Sequence, residues 1–337
     1  MTINPTPISI SIVIVLGLAA SLLAGCAVLD ARAGNREARW ASEHPPVGRM
    51  IGAPGQRVHV VEAGRPRGQA PDLVLIHGAN GNLRDFTFDL VGRLERDFRI
   101  LAVDRPGLGW SDTLDETGGA AGGAAGDDPR AQARALRAAL ADLGVNRPIV
   151  LGHSYGGAVA LAWALEAPDD TAALVLLAAA THPWAGHLGL WYRLNDGPLG
   201  GIARRMVTAL ASDAAIERTL ASVFAPAPVP TGYGAHFGPG LSLRREAQAV
   251  NVRQVNTLLG HLRAMQPRYA GLNLPIEAIH GEADTIVGLE IHAARLEAEV
   301  PGVHLTRLPG AGHMPHHSHP EEVVAAIHRA AGRAGLR

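Results

Sequence analysis

The stretch Leu151-Gly152-His153-Ser154-Tyr155-Gly156-Gly157 constrains the fold more than any other part of this chain. It reads Gly-x-Ser-x-Gly, follows the apolar β-type run Pro148-Ile149-Val150-Leu151, and precedes a small-residue helix from Gly156 to Leu165. A serine at such a junction sits on a sharp, strained turn, and glycines around it let strand and helix approach closely. The helix N-terminus just beyond it favours negative charge. In a chain of 337 residues with 40 glycines the pattern alone is weak, and its force comes from the surrounding segments.

Those segments alternate. Val58, Val60 and Val61 open a strand, Asp72 to Gly78 is an apolar strand stopped by glycine, and Leu83 to Leu94 has helical spacing at Phe86, Leu90, Val91 and Leu94. Phe98 to Val103 is again a strand and leads into Asp104-Arg105-Pro106-Gly107-Leu108-Gly109-Trp110-Ser111-Asp112, a loop fixed by prolines and glycines. Gly118 to Gly126 is a Gly/Ala surface loop, Pro129 to Leu143 a helix, and Ala172 to Ala178 another buried strand. After Ala180 the rhythm stops. Leu199 to Leu210, Ala214 to Phe224 and Leu241 to Met265 are helical pieces around a Pro/Gly-rich stretch from Pro226 to Gly240. The alternation resumes with a strand at Pro275 to Gly281, a helix from Leu289 to Val300, a strand at Val303 to Leu308 and a final helix from Pro320 to Ala330. Continuously apolar strands between helices predict an α/β fold, a mostly parallel doubly wound sheet covered on both faces, with a helical cap inserted between core strands. The expected division is 1–25 leader, 26–56 tether, 57–180 first part of the core, 181–270 cap and 271–337 second part of the core.

Absences narrow the chemistry. All thirty basic residues are arginine, which removes Schiff-base lysines, pyridoxal phosphate, Ser–Lys dyads and the Walker-A lysine together. No cofactor is expected. The only cysteine is Cys26, so the domain has no intramolecular disulfide and no Cys-rich zinc site. A net charge of −1 without a basic stripe gives no nucleic-acid partner. Gly107-x-Gly109 lacks a third glycine and does not open a helix, which argues against a dinucleotide site.

A serine hydroxyl needs a base, and an imidazole base needs a carboxylate to fix its tautomer. The carboxylate candidate is Asp284, in His280-Gly281-Glu282-Ala283-Asp284 directly after a strand, with Glu282 as the alternative acid. The base candidate is His313, in Gly310-Ala311-Gly312-His313-Met314-Pro315 after the last strand. The order Ser154, Asp284, His313 suits this architecture. His316, His317 and His319 make the same loop histidine-rich, but no carboxylate stands nearby in a helical His-x-x-x-His frame, so no metal is expected. Acyl transfer also needs two oxyanion donors. The amide of Tyr155 is one candidate and that of Ala79 the other, with Asn80 beside it. Asn80, Trp110, His153 and Trp184 are candidate pocket residues, although His153 also suits packing within the elbow and His77 shaping of its own turn. The cap aromatics Trp184, Trp191, Tyr192, Phe224, Tyr233 and Phe237 suit either an apolar pocket or packing of the cap onto the sheet.

Together, His77-Gly78, the Asp104-to-Asp112 segment, Gly152-His153-Ser154-Tyr155-Gly156-Gly157, Gly281-x-x-Asp284 and Gly312-His313 resemble the α/β-hydrolase superfamily. The resemblance spans about Arg57 to Ala330. It implies a serine hydrolase acting on a small-molecule acyl substrate through an acyl-enzyme. The same residues resemble cofactor-free haloperoxidases, which make peracids from a carboxylic acid and peroxide, so that activity is the alternative; a non-catalytic surface binding lipoprotein is another. Serine at the nucleophile position is unlike the haloalkane dehalogenases and epoxide hydrolases of the superfamily, which use aspartate there.

Upstream, Ile8 to Ala24 is an apolar run ending Leu22-Leu23-Ala24-Gly25-Cys26, the object a signal-peptide core or short anchor presents. Its ending resembles the lipobox of bacterial lipoproteins, which implies cleavage before Cys26 and lipidation of that thiol; Met1 to Pro7 lacks the usual Lys or Arg. A retained anchor and a misassigned start codon are the alternatives. The resemblance implies a lipid-anchored protein of the bacterial cell envelope with its catalytic domain outside the cytoplasm, on the periplasmic side.

Overall fold

In the computed structural model, the described residues are 7–114, 125–195, 197 and 199–336; the expected loop at Gly118 to Gly126 falls mostly outside them. Strands β1 (Arg49–Ile51), β2 (Val58–Gly64), β3 (Asp72–Ile76), β4 (Arg99–Val103), β5 (Ile149–His153), β6 (Ala173–Leu177), β7 (Ile276–Gly281) and β8 (Val303–Leu308) form one sheet in the order β1-β2-β4-β3-β5-β6-β7-β8. β2 pairs antiparallel with β1 and with β4; all other pairs are parallel. Every residue of β4, β5, β6 and β7 is buried, which is why these strands are apolar along most of their length rather than alternating, with Arg99, Glu277 and His280 as buried polar members.

Helices cover both faces. α1 is Pro7–Glu43; α2 (Arg84–Thr87) and α3 (Leu90–Leu94) follow β3; α4 is Pro129–Ala141 and α5 Tyr155–Glu166. Val74 and Ile76 point to the layer built by α4, α5 and, from the cap, α10, whereas Leu73 and Leu75 point to the layer built by α3 and α13. The cap carries α6 (Leu190–Asn195), α7 (Gly200–Leu210), α8 (Asp213–Phe224), α9 (Tyr233–Phe237) and α10 (Arg245–Met265). The core resumes with α11 (Ala293–Glu299), α12 (Pro315–Ser318) and α13 (Pro320–Arg333). α13 buries Val323, Ala326, Ile327 and Ala330, an i, i+3, i+4, i+7 stripe.

Three segments differ from the sequence expectation. Leu83 to Leu94 is two short helices, because the backbone leaves the helical line at Asp89 (φ −145°, ψ −49°); Phe88, just before the break, packs edge-on against Tyr233, with ring centroids 5.4 Å apart. The helix expected from Leu289 starts at Ala293, because His292 is non-helical and its Nδ1 accepts the amides of Thr181 and His182 at 3.2 and 3.1 Å. The stretch expected to be a tether is helical to Glu43 and docks on the cap. Ala33 and Trp40 are buried, and the Trp40 ring lies against Gly240, where a Cβ would come 2.2 Å from it. Glu37 accepts three N–H groups of Arg245 at 2.7 to 3.0 Å, and Asp30 pairs with Arg205 and Arg245. Spacing of Ala33, Glu37 and Trp40 on one helical face, with cap arginines opposite, explains the docking. Among the described residues no helix is long and apolar enough to cross a membrane.

Candidate active site

The strand order reverses between β3 and β5, and in open parallel sheets the crevice at the carboxyl ends of such strands is where functional loops meet. β5 ends at His153 and α5 begins at Tyr155, leaving Ser154 alone to make the turn, with φ 53° and ψ −118°. That backbone is strained for a serine and is held from both sides: its N–H donates to Leu177 O at 2.9 Å, and its C=O accepts from Gly157 and Ala180. The glycines are steric necessities. A Cβ on Gly152 would lie 2.3 Å from the Gly156 carbonyl, and one on Gly156 would lie 2.2 Å from that of Ile76. Tyr155 is the first helical residue, so its N–H has no intrahelical acceptor.

Asp284 and His313 meet. His313 Nδ1–H donates to Asp284 Oδ2 at 2.8 Å, and Asp284 Oδ1 accepts the amides of Ile286 and Val287 at 2.8 and 2.9 Å. His280 Nε2–H donates to Val287 O and lies 3.4 Å from Asp284 Oδ2. Burial alone would raise the Asp284 pKa. The hydrogen bonds from His280 and His313 win and hold it well below the usual carboxylate range. The imidazole therefore faces a permanent carboxylate, which fixes its proton on Nδ1 and leaves Nε2 as an acceptor. Gly281 allows the two loops to close, since a Cβ there would lie 2.2 Å from the Ala311 carbonyl.

The turn after β3 is held by His77, read from the sequence as shaping it, and by Arg105 and Asn251, whose part was not legible there. Arg105 is fully buried: its guanidinium donates to His77 O at 3.0 Å, Gly78 O at 3.1 Å, Gln132 Oε1 at 3.0 Å and Gln254 Oε1 at 2.7 Å, and lies over the Tyr155 ring. Burial lowers its pKa to about 10, so it stays charged near neutrality. His77 Nε2 accepts the Arg105 amide, so its proton is on Nδ1, which donates to Gly78 O. Burial, with the Arg105 charge second, lowers the His77 pKa to about 4. Asn80, at φ 52°, donates its amide to Asn251 Oδ1 of α10 at 2.7 Å, and its carbonyl accepts from Ser242 Oγ at 2.6 Å. The cap thus grips the turn that carries Ala79. Asp104 organises the neighbouring loop by accepting from His59 Nδ1, Leu83 N and Trp110 N.

A family model for the alpha/beta hydrolase family matches residues 73–326. The chain belongs to that family. A pimeloyl-[acyl-carrier protein] methyl ester esterase of Edwardsiella ictaluri is 30% identical over 269 residues, covering 76% of this chain and 91% of the relative. Among solved structures, an esterase from Rhodococcus sp. superposes with a TM-score of 0.63 at 24% identity, covering 86% of this chain and 98% of that one. A bacterial membrane phospholipase A gives 0.63 at 20% identity and covers 96% and 98%. The protein is an enzyme of the α/β-hydrolase fold.

Within this hydrolase the residues named for a pocket go separate ways. Asn80 is at the cap–core junction, its Nδ2 3.4 Å from the Tyr192 hydroxyl. Trp110 braces the molecule: its indole N–H donates to His44 O at 3.0 Å and Arg244 lies over its ring. His153 donates Nε2–H to the His313 carbonyl at 2.9 Å, tying the elbow to the His313 loop. Trp184 is half-buried against the main core cluster, near His292. Of the cap aromatics, Phe224, Tyr233 and Phe237 are packing residues, buried with Met314. Cys26 lies on α1, half-buried and reduced.

Proposed function

We propose that this hydrolase cleaves an ester or related acyl bond of a small molecule through an acyl-enzyme, with Ser154 as nucleophile, His313 as base and Asp284 orienting His313. The observation that carries the reading is the 2.8 Å bond from His313 Nδ1–H to a buried carboxylate held ionised, on a loop tied by His153 to the elbow where Ser154 is strained onto a strand-to-helix turn. An imidazole so held presents an unprotonated Nε2 that takes the hydroxyl proton as the oxygen attacks the carbonyl. The imidazolium that forms is stabilised by Asp284 and returns the proton to the leaving alcohol. Water, activated by the same nitrogen, then breaks the acyl-enzyme, and the serine regains its proton. The amides of Tyr155 and Ala79 hold the oxyanion, the first by its place at the start of α5 and the second on the turn that Arg105 and Asn251 grip. The ester bond named for the Edwardsiella relative supports an oxygen ester over an amide.

The test is labelling with a fluorophosphonate, followed by hydrolysis of short-chain aryl esters. Wild type is expected to be labelled at Ser154. Ser154→Ala is expected to lose labelling and at least about a thousandfold in kcat while keeping its circular dichroism and Tm. Full turnover by a pure Ser154→Ala preparation overturns the reading.

A further inference from the structure

We propose that Asp85, His316 and His317 form a binding site for a divalent transition-metal ion of the zinc class, which braces the His313 loop against the segment following β3. The three donor atoms lie within 4.8 Å of one another, one from each side chain. His316 Nε2 is 3.1 Å from Asp85 Oδ2 and His317 Nε2 is 2.8 Å from Asp85 Oδ1. A tetrahedral zinc site with bonds of about 2.0–2.1 Å puts its donors about 3.3 Å apart, so both pairs are already near that separation. Two imidazoles and a carboxylate are the ligand types such ions take. The carboxylate missing from the sequence around the histidine-rich loop comes from 231 positions away, on α2.

The second observation is His153. Its Nε2–H is committed to the His313 carbonyl, so Nδ1 carries a bare lone pair. That nitrogen is buried, has no hydrogen-bond partner, and lies 4.0 Å from Asp85 Oδ2. Two acceptors face each other 4.0 Å apart in the protein interior, an arrangement that repels and that a cation beside them relieves. The ion-pair partners of Asp85 among the described residues are all histidines, so no arginine supplies that charge. Water would complete the coordination of the three side chains, and the Tyr233 hydroxyl, 2.8 Å from Asp85 Oδ1, orients the carboxylate from the cap. An ion here joins α2 and the loop three residues beyond His313, without touching the reacting atoms.

The experiment uses the purified full chain, stripped with a chelator and dialysed against Co2+ or Zn2+. Wild type is expected to take up one ion per chain, to develop the intense visible ligand-field absorption of four-coordinate Co2+, and to gain Tm with Zn2+. Asp85→Asn and His317→Gln are each expected to weaken binding by at least about tenfold and to lose the absorption, whereas His304→Gln, outside the cluster, leaves both unchanged. A folded wild type that binds no ion, or whose Co2+ stays pale and six-coordinate, overturns the proposal. So does binding that survives both cluster variants. The wild-type spectrum alone decides the matter if a variant fails to fold.

Discussion

His77 shows how a residue that does no chemistry still sets the conditions for it. Both of its ring nitrogens are used, one accepting from the Arg105 amide and the other donating to Gly78, and burial keeps the ring neutral with a pKa of about 4 against an ordinary 6.5. A folded-state pKa below the unfolded value means that the unfolded chain takes up the proton first on acidification. The stability that His77 contributes is therefore fully present above about pH 6.5 and is lost as the pH falls towards about 4, a loss of about 3 kcal/mol at full extent. Urea denaturation across that window is expected to show the decline in wild type and a shallower one in His77→Gln. Arg105 belongs to the same scale. It is a cation completely enclosed in the protein, and its cost is offset because four acceptors and one aromatic face surround it. A lysine there would keep the charge without the planar fork of donors.

At the scale of elements, α10 does more than close the top of the sheet. Asn251 reaches from this helix to the Asn80 amide, so the cap sets the conformation of a turn that belongs to the core. Asn251→Ala is expected to leave that amide unpaired, at a cost of about 1–3 kcal/mol, and to lower kcat about tenfold or more with KM little changed. Steady-state kinetics on an aryl ester would read the split, and an unchanged kcat would remove the turn from the catalytic account. The contrast with the elbow explains what the sequence could reveal. Gly152, Ser154 and Gly156 lie within five residues, and their geometry is local, so the spacing alone carries it. Asp284 and His313 are each announced by a strand followed by glycines. Asn251, Arg105 and Asp85 act across 171, 149 and 231 positions respectively, where no periodicity links the partners. The cap aromatics left two readings open for the same reason. Only the fold puts Phe224, Tyr233 and Phe237 around Met314.

At the scale of the whole molecule, α1 converts a segment read as a leash into part of the body. Among the described residues its buried side chains and ion pairs with the cap lie at Asp30 and beyond, so removal of residues 1–25 would leave these in place. Lipidation at Cys26 therefore remains compatible with the docked helix, and α7, packed along it, presents Ile202, Met206 and Leu210 to the outside. The expected mature chain begins at Cys26 carrying a thioether-linked diacylglycerol and sediments with membranes. Mass spectrometry of the N-terminal peptide is expected to find it, and Cys26→Ser to retain the whole leader. An unmodified wild-type N-terminus would overturn lipidation.

The single hydrogen bond from His153 to the carbonyl of His313 joins residues 160 positions apart. During synthesis the ribosome must finish most of the second half of the polypeptide before that bond can form. Until then the growing chain carries Ser154 without the imidazole of His313. With His313 as the proposed base, activity is expected to arrive late, with the C-terminal loop, and a chain that stops short of it is expected to be inert.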